Sequence, residues 1–233
     1  MKKPSPTPFS PIAVARTDFA EKFGIPRQSG RVDSLVARIV FYPEYRNDDA
    51  LRGIEGYSHL WLLWHFSETR QGDAFRPTVR PPRLGGNRAQ GVFATRSPFR
   101  PNPIGLSSVR LLGLEKTEKE GTVLLVGGAD LLDGTPIFDV KPYLPSTDAH
   151  PDAVGGFADA FTDYRLSVSC DDALLARLPE NKREDLLAVL AEDPRPAYQE
   201  DPVRIYGFPF AGFEIKFSVL DGELTVTDII PMK

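Results

Sequence analysis

Prolines and glycines recur along the whole chain and restrict how long its helices can be. The 233 residues include 22 prolines and 19 glycines, whereas proline makes up about 5% of residues in an average domain. Each proline fixes its own φ angle and removes a backbone hydrogen-bond donor, so it interrupts helices and sheet interiors. We therefore expect a mainly β fold in which strands and turns outweigh helices.

The segment from Tyr57 to Phe66 has the alternation of a β-strand with two different faces. The apolar face comprises Leu60, Leu62, Trp64 and Phe66, and the mixed face comprises Tyr57, His59, Trp61, Leu63 and His65. We expect the first face to lie in a core and the second to line a cavity or a contact between subunits. The segments Gly91 to Arg96 and Gly105 to Leu114 are predicted as further strands.

The last third of the chain has a different pattern. Leucines recur at helical spacing from Asp171 to Glu192, and Pro179 divides this stretch, which predicts two helices. The segment from Tyr206 to Ile230 alternates like a terminal hairpin around Asp221 and Gly222. These patterns predict a domain boundary near residue 160, with a larger β domain over 1–160 and a smaller α+β domain over 161–233.

Several classes of protein are excluded by what the sequence contains. The single cysteine, Cys170, cannot form an internal disulfide, and no Cys/His cluster has the spacing of a zinc site. The N-terminal prolines occupy the place of a signal-peptide apolar region, and the most apolar run, Leu60 to Trp64, is far shorter than the roughly 20 residues needed to cross a bilayer. We therefore expect a cytoplasmic protein with no membrane segment and no metal.

Positive charge is concentrated in one segment of an otherwise acidic chain. The net charge is −4, yet Arg76 to Arg110 contains seven arginines and no Asp, Glu or Lys, so this segment is +7 and the remainder −11. Guanidinium groups pair bidentately with phosphates. Some of these arginines could simply solvate loops, but the segment as a whole predicts a localised anion-binding surface of the kind that binds nucleic acid.

Two familiar kinds of site are absent from the sequence. No GxGxxG segment follows a strand and opens a helix, which argues against a doubly wound dinucleotide-type fold. The three histidines, His59, His65 and His150, have no spacing typical of a metal site or a Ser-His-Asp triad.

Four segments of the chain have a distinctive composition, namely IPRQSG (25–30), RGIEGYSHLWLLW (52–64), RPTVRPPRLGGNRAQGVFATRSPFRPNPIG (76–105) and DLLDGTPIFDVKPYLP (130–145), and DPRPAY follows at 193–198. These segments resemble the TrmO (YaeB, TsaA-like) family of tRNA N6-threonylcarbamoyladenosine methyltransferases. The resemblance covers residues 12–160 and implies a single-sheeted β-barrel that binds S-adenosylmethionine, is homodimeric, and methylates threonylcarbamoyladenosine at tRNA position 37, next to the anticodon.

The resemblance also implies where the ligands bind. The cofactor-binding residues it implies are Pro26, Arg27, Gln28, Ser67, Glu68, Arg96, Leu106, Asp130, Leu131, Leu132 and Asp133. The arginines that we expect to hold the anticodon stem-loop of the tRNA are Arg80, Arg83, Arg88 and Arg100. A urea-like acceptor nitrogen is a weak nucleophile and needs a base or strong orientation.

The catalytic residue is left open by the sequence, with Glu68, Asp133 and His65 as candidates for a base. Two other functions also remain open. One is a non-enzymatic RNA-binding barrel that uses its arginines on phosphates, and the other is a small-molecule methyltransferase on the same fold.

Overall fold

The computed structural model describes residues 8–69, 74–81, 88–161, 164–195, 201 and 203–232. Its strands are β1 (Ala13–Arg16), β2 (Val36–Phe41), β3 (His59–His65), β4 (Thr78–Val79), β5 (Gln90–Gly91), β6 (Ile104–Thr117), β7 (Gly121–Gly127), β8 (Pro136–Pro142), β9 (Ser167–Ser169), β10 (Tyr206–Phe210), β11 (Phe213–Leu220) and β12 (Glu223–Pro231). Its helices are α1 (Pro145–Asp148), α2 (Asp172–Leu175) and α3 (Glu180–Ala191), with short 3-10 turns at Pro43–Tyr45, Asp48–Leu51, Ile54–Gly56, Val92–Ala94 and Gly156–Phe161. The prediction of a mainly β protein is confirmed.

Six antiparallel strands make one sheet that closes on itself, in the order β1, β2, β7, β6, β3, β8. The closing contact pairs β1 with β8, with Ala13 opposite Ile137 and Val14 opposite Pro136. Closure removes the unpaired strand edges that an open sheet would present to other chains.

The core of the barrel is filled by the inward faces of its strands. On β3, Leu60 and Leu62 are fully buried and Trp64 is 8% exposed, and the side chains between them are only half-buried. The alternation predicted from the sequence is therefore confirmed for this strand, although Phe66 follows the strand and is half-buried. Burying one such side chain contributes roughly 1.5–3 kcal/mol.

A second, four-stranded sheet has the order β10, β11, β12, β9, in which β9 is parallel to β12 and the other pairs are antiparallel. The two predicted helices are confirmed as α2 and α3, with Pro179 directly before α3. The turn at Asp221 and Gly222, where both φ angles are positive, joins β11 to β12 as expected. The predicted hairpin is extended by β10 into a three-stranded meander.

The prediction of a strand over Gly91 to Arg96 is wrong. Only Gln90–Gly91 pairs, in a short ribbon with Thr78–Val79, and the chain then turns through the 3-10 segment Val92–Ala94. Val92 is buried whereas its neighbours are exposed. Only one side chain of this turn is buried, so buried and exposed side chains do not alternate as they would in a strand. The apolar residues of the segment therefore resemble a strand in sequence without forming one.

The segment between β1 and β2, residues 17–35, is shared by both halves of the molecule. Phe19, Val32 and Leu35 are at most 5% exposed and belong to the core of the second sheet, together with Phe208 and Phe217. On its other side the segment is hydrogen-bonded to the barrel, since the Gly30 N–H donates to the Gly128 carbonyl at 2.9 Å. The second core is therefore completed by residues from the N-terminal part of the chain.

A buried ion pair ties the same segment to the end of α3. The Arg31 Nε lies 2.8 Å from the Glu192 Oε2, and the Glu192 side chain is only 4% exposed. Arg165 also contacts this carboxylate. Because desolvation cancels much of the attraction in a buried pair, we assign these contacts to orientation of the segment more than to net stability.

Gly24 tests this packing directly, because a Cβ built on it would lie 2.3 Å from a ring carbon of Phe208. Gly53 is a matched control with a similar φ, +86° against +95°, and no heavy atom within 4 Å of the added Cβ. Overpacking costs about 1–3 kcal/mol. We expect Gly24→Ala to lower the free energy of unfolding in urea by about that much more than Gly53→Ala. Equal losses for the two variants would contradict the shared core.

Candidate active site

A cleft of about 890 Å³ opens at one end of the barrel, a size typical of small-molecule sites. It lies where β3 ends, β6 begins and the chain leaves β7, three points that antiparallel pairing brings to the same end. The segment between β1 and β2 supplies a further wall. Six of the predicted cofactor-binding residues line this cleft, namely Pro26, Arg27, Gln28, Arg96, Leu106 and Asp130.

A large indole ring forms part of the cleft wall because a glycine lies opposite it. Trp64 on β3 pairs with Gly105 on β6, and a Cβ on Gly105 would lie 2.2 Å from the indole. Phe66 packs edge-on against the same indole, with 4.2 Å between ring centroids. The close approach of backbone to ring fixes the orientation of Trp64 and gives the cleft an apolar wall.

A chain of two hydrogen bonds runs from this indole to the only carboxylate among the described residues that line the cleft. The Trp64 Nε1 donates to the Ser107 Oγ at 2.9 Å, and the Ser107 hydroxyl donates to the Asp130 Oδ1 at 2.6 Å. An indole N–H can only donate. The serine oxygen therefore accepts from Trp64, which leaves its single proton for Asp130.

Two opposing effects act on the Asp130 carboxyl. Burial raises its pKa above the ordinary value, while the Ser107 hydrogen bond and the positive charge of Arg96 lower it, and the net shift is upward. Backbone N–H groups of Asp130 and Ser29 also donate to this carboxylate. A desolvated carboxylate oriented by such donors is suited to meeting a cationic or hydrogen-donating group of a ligand. No signal in the sequence marked Ser107 or Trp64 as part of a site.

Three arginines that line the cleft are anchored by neighbours. Arg96 donates to the Gln28 Oε1 at 2.5 Å, and Arg100 donates to the Thr95 carbonyl at 3.0 Å. Arg27 donates to the carbonyls of Asp193 and Arg195, at 3.3 and 3.0 Å, in the loop that follows α3. The second unit of the structure, which consists of the four-stranded sheet with α2 and α3, therefore holds one wall of the cleft in place.

The remaining predicted cofactor residues lie outside the cleft lining. Leu131 is buried in the barrel core, the Leu132 carbonyl accepts from Thr135 at 2.8 Å, and the Asp133 carboxylate accepts from the Thr17 backbone N–H at 3.0 Å. Ser67 and Glu68 are exposed beyond the end of β3, where the Glu68 carbonyl accepts a hydrogen bond from Lys22.

The candidates for a base, Glu68, Asp133 and His65, are not among the residues that line the cleft. The His65 ring lies on the outer face of β3, 5.6 Å from the Phe138 ring. Within the described part of the chain no three His, Cys, Asp or Glu side chains are grouped so that they could hold a metal ion. No helix among those residues is both long and apolar enough to span a membrane.

The arginines predicted to bind RNA are distributed around the cleft and the β4–β5 ribbon. Arg100 lines the cleft. Arg80 directly follows β4 and Arg88 lies two residues before β5, and both are exposed. Arg83 lies outside the described residues. Of the described members of this group, Arg100 therefore belongs to the cleft, and Arg80 and Arg88 flank the β4–β5 ribbon.

Comparison with known proteins gives matches over nearly the whole chain. The profile described as "tRNA-methyltransferase O N-terminal domain" matches residues 14–149, and that of the TrmO C-terminal domain matches residues 164–232. A tRNA (adenine(37)-N6)-methyltransferase of Escherichia coli (strain K12) is 42% identical over 231 residues, covering 96% of this chain and 97% of the relative. A protein of the same name from Eikenella corrodens is 48% identical over 179 residues, covering 76% and 99%.

Solved structures agree with these sequence matches. The crystal structure of TrmO from Pseudomonas aeruginosa has a TM-score of 0.77 at 33% identity and covers 97% of this chain and 99% of its own. Fold and cleft together define a two-part β protein with a candidate ligand site at the mouth of its larger sheet. The chain belongs to the tRNA-methyltransferase O family.

The hydrogen-bond chain predicts how the Asp130 carboxyl titrates. Ser107→Ala removes the contact that favours the ionised form, so the pKa of Asp130 should rise further above its ordinary value. Carboxyl ¹³C NMR titration of the two proteins measures this shift. Ser108→Ala is the matched control, because Ser108 points away from Asp130 and pairs with Trp61. An unchanged Asp130 titration in Ser107→Ala would contradict the directed donor.

Proposed function

We propose that this protein is an S-adenosylmethionine-dependent tRNA methyltransferase that methylates N6 of threonylcarbamoyladenosine at position 37, next to the anticodon. The observation that carries the proposal is the convergence on one cleft of six residues implied by family resemblance, among them the half-buried carboxylate of Asp130. Relatives named as tRNA (adenine(37)-N6)-methyltransferases at 42% and 48% identity support the reaction. A relative from Pyrococcus abyssi named as a probable S-adenosyl-L-methionine-binding protein, 34% identical, supports the cofactor.

The cleft residues fit a ligand that is cationic at one end and aromatic at the other. Asp130 supplies a negative charge, and Arg96 can pair with a carboxylate of the ligand. The indole ring of Trp64 and the side chain of Leu106 supply apolar contacts. S-adenosylmethionine would supply an electrophilic methyl group on a positively charged sulfur. In our proposal Pro26, Arg27 and Gln28 enclose it from the β1–β2 segment.

The protein's own contribution to the reaction is mainly orientation and charge placement. Trp64, Gly105 and Ser107 hold Asp130 in a fixed place, and the anchored Arg96 limits how a bound ligand can lie. Such positioning supplies much of the acceleration when the nucleophile is weak. Cofactor contacts by Ser67, by Glu68 and by residues 131–133 remain predictions, and the base stays open among the candidates Glu68, Asp133 and His65.

For the tRNA we propose that Arg80, Arg83, Arg88 and Arg100 bind phosphates of the anticodon stem-loop. Exposed guanidinium groups beside a cleft are suited to a polyanion. We further propose a cytoplasmic homodimer that uses the outer face of β3, where the rings of Trp61 and Tyr143 lie 5.5 Å apart. The larger unit, residues 1–160, is in this proposal the cofactor-binding domain and residues 161–233 are its support.

Nucleoside mass spectrometry tests the proposed function. The purified protein is incubated with S-adenosylmethionine and with tRNA that carries threonylcarbamoyladenosine, and the digested nucleosides are compared with a reaction that lacks the cofactor. We expect a methylated form of that nucleoside to appear while its parent declines. Cofactor binding without methylated tRNA would favour a small-molecule substrate, and RNA binding without cofactor binding would favour a non-enzymatic barrel. Either outcome would refute the proposal.

A further inference from the structure

Two solvent-exposed phenylalanine rings are stacked on each other at the cleft. Phe75 and Phe93 have ring centroids 6.0 Å apart and an angle of 22° between their planes. They are 59% and 73% exposed. Single exposed apolar residues are common on protein surfaces, but a stacked aromatic pair that neither belongs to a core nor covers one is a feature that a partner can use.

The backbone holds both rings in this position. The ribbon pairs Thr78 with Gly91 and Val79 with Gln90, which places the residues just outside it next to each other. The Val92 N–H donates to the Pro77 carbonyl at 2.9 Å, and the Val92 side chain is 1% exposed. With Val92 anchored inside, the following residue of the 3-10 turn, Phe93, points outward.

The chemical surroundings of this pair are positively charged. Phe93 lines the same cleft as Arg96 and Arg100, and the ribbon carries the exposed arginines Arg76, Arg80 and Arg88. The described residues 74–81 and 88–110 contain no acidic side chain. A ligand bound to this surface would therefore contact two flat apolar rings with arginine side chains nearby.

We propose that Phe75 and Phe93 form a stacking platform for an unpaired nucleobase of the RNA substrate. Proteins that bind single-stranded RNA stack its bases on aromatic rings while basic side chains track the phosphates. Aromatic rings and basic side chains occur together here, on the β4–β5 ribbon and on the adjoining wall of the cleft. The inference rests on the proposed function, because it takes the bound polymer to be RNA.

The position of Phe93 restricts the stacked base to the modified adenosine and its immediate neighbours. Because its ring belongs to the cleft wall that also includes Asp130, a base stacked on it lies at the entrance to the proposed methyl-transfer site. The platform then contacts the modified adenosine or an immediate neighbour in the anticodon loop and separates it from the bases beside it. Stacking is tolerant of sequence, since every base has a π-face.

The test compares stacking with phosphate binding on the same protein. Phe93→Leu keeps an apolar side chain but removes the ring, and Phe93→Tyr keeps the ring. Loss of one stacked base weakens binding on the order of tenfold. We expect Phe93→Leu to raise the Kd for tRNA by about that factor, whereas Phe93→Tyr binds normally. Phe9→Leu is a matched control, because Phe9 is similarly exposed at 67% and its ring contacts Phe138 on β8 of the barrel.

A salt series separates the two kinds of contact. Removal of one phosphate contact, as in Arg88→Gln, should flatten the dependence of log Kd on log salt by about 0.7–0.9, while Phe93→Leu should weaken binding at every salt concentration with the slope unchanged. The Kd for S-adenosylmethionine and the mass by light scattering are measured for each variant. If Phe93→Leu binds tRNA like the wild type, or only shifts the mass to that of a monomer, the platform is refuted. Absence of tRNA binding by the wild type would instead refute the proposed function.

Discussion

The structure depends on the segment 17–35, because both units of the molecule use it. The segment completes the hydrophobic core of the second sheet, and it also forms one wall of the cleft at the end of the barrel. Its apolar side chains, Phe19, Val32 and Leu35, lie under the second sheet. Between Phe19 and Val32, the residues Pro26 to Gln28 line the cleft at the mouth of the barrel. A displacement of the second unit would therefore move the cleft wall, although none of the described residues of that unit lines the cleft.

A physical reason for the two-part architecture follows from this sharing. A loop that leaves a barrel has exposed backbone and few contacts, and such loops are usually the most mobile part of a site. Here the Arg27 guanidinium is held by two carbonyls after α3, and Arg31 is held by a buried carboxylate. A preorganised wall reduces the conformational entropy that a ligand must otherwise offset on binding.

The sequence predicted those parts of the structure whose signal is local. Alternation along β3 and the interruption at Pro179 each depend on neighbouring residues, and both predictions are confirmed. The prediction of a strand over Gly91 to Arg96 is wrong because Val92–Ala94 forms a turn in which only one side chain is buried, so burial does not alternate. The resemblance supplied the residues Pro26 to Gln28, Arg96, Leu106 and Asp130, which composition and spacing alone would not have selected.

The hydrogen-bond chain to Asp130 could not be predicted, because its members are far apart in sequence. Trp64 and Ser107 are 43 positions apart, and Ser107 and Asp130 are 23 apart. Only the register of β3 against β6, with Trp64 opposite Gly105, brings the indole to the serine. The sharing of residues 17–35 was hidden for the same reason, since its partners, such as Phe208, lie more than 170 positions away.

The central claim is that one cleft, with Asp130 at its wall, binds a cationic methyl donor. Isothermal titration calorimetry of S-adenosylmethionine with the wild type and with Asp130→Asn tests it most directly, because asparagine keeps the size of the side chain and removes its charge. We expect the wild type to bind and Asp130→Asn to bind at least about tenfold more weakly, the factor that corresponds to about 1.4 kcal/mol. Equal affinity of the two proteins for the cofactor would contradict the claim.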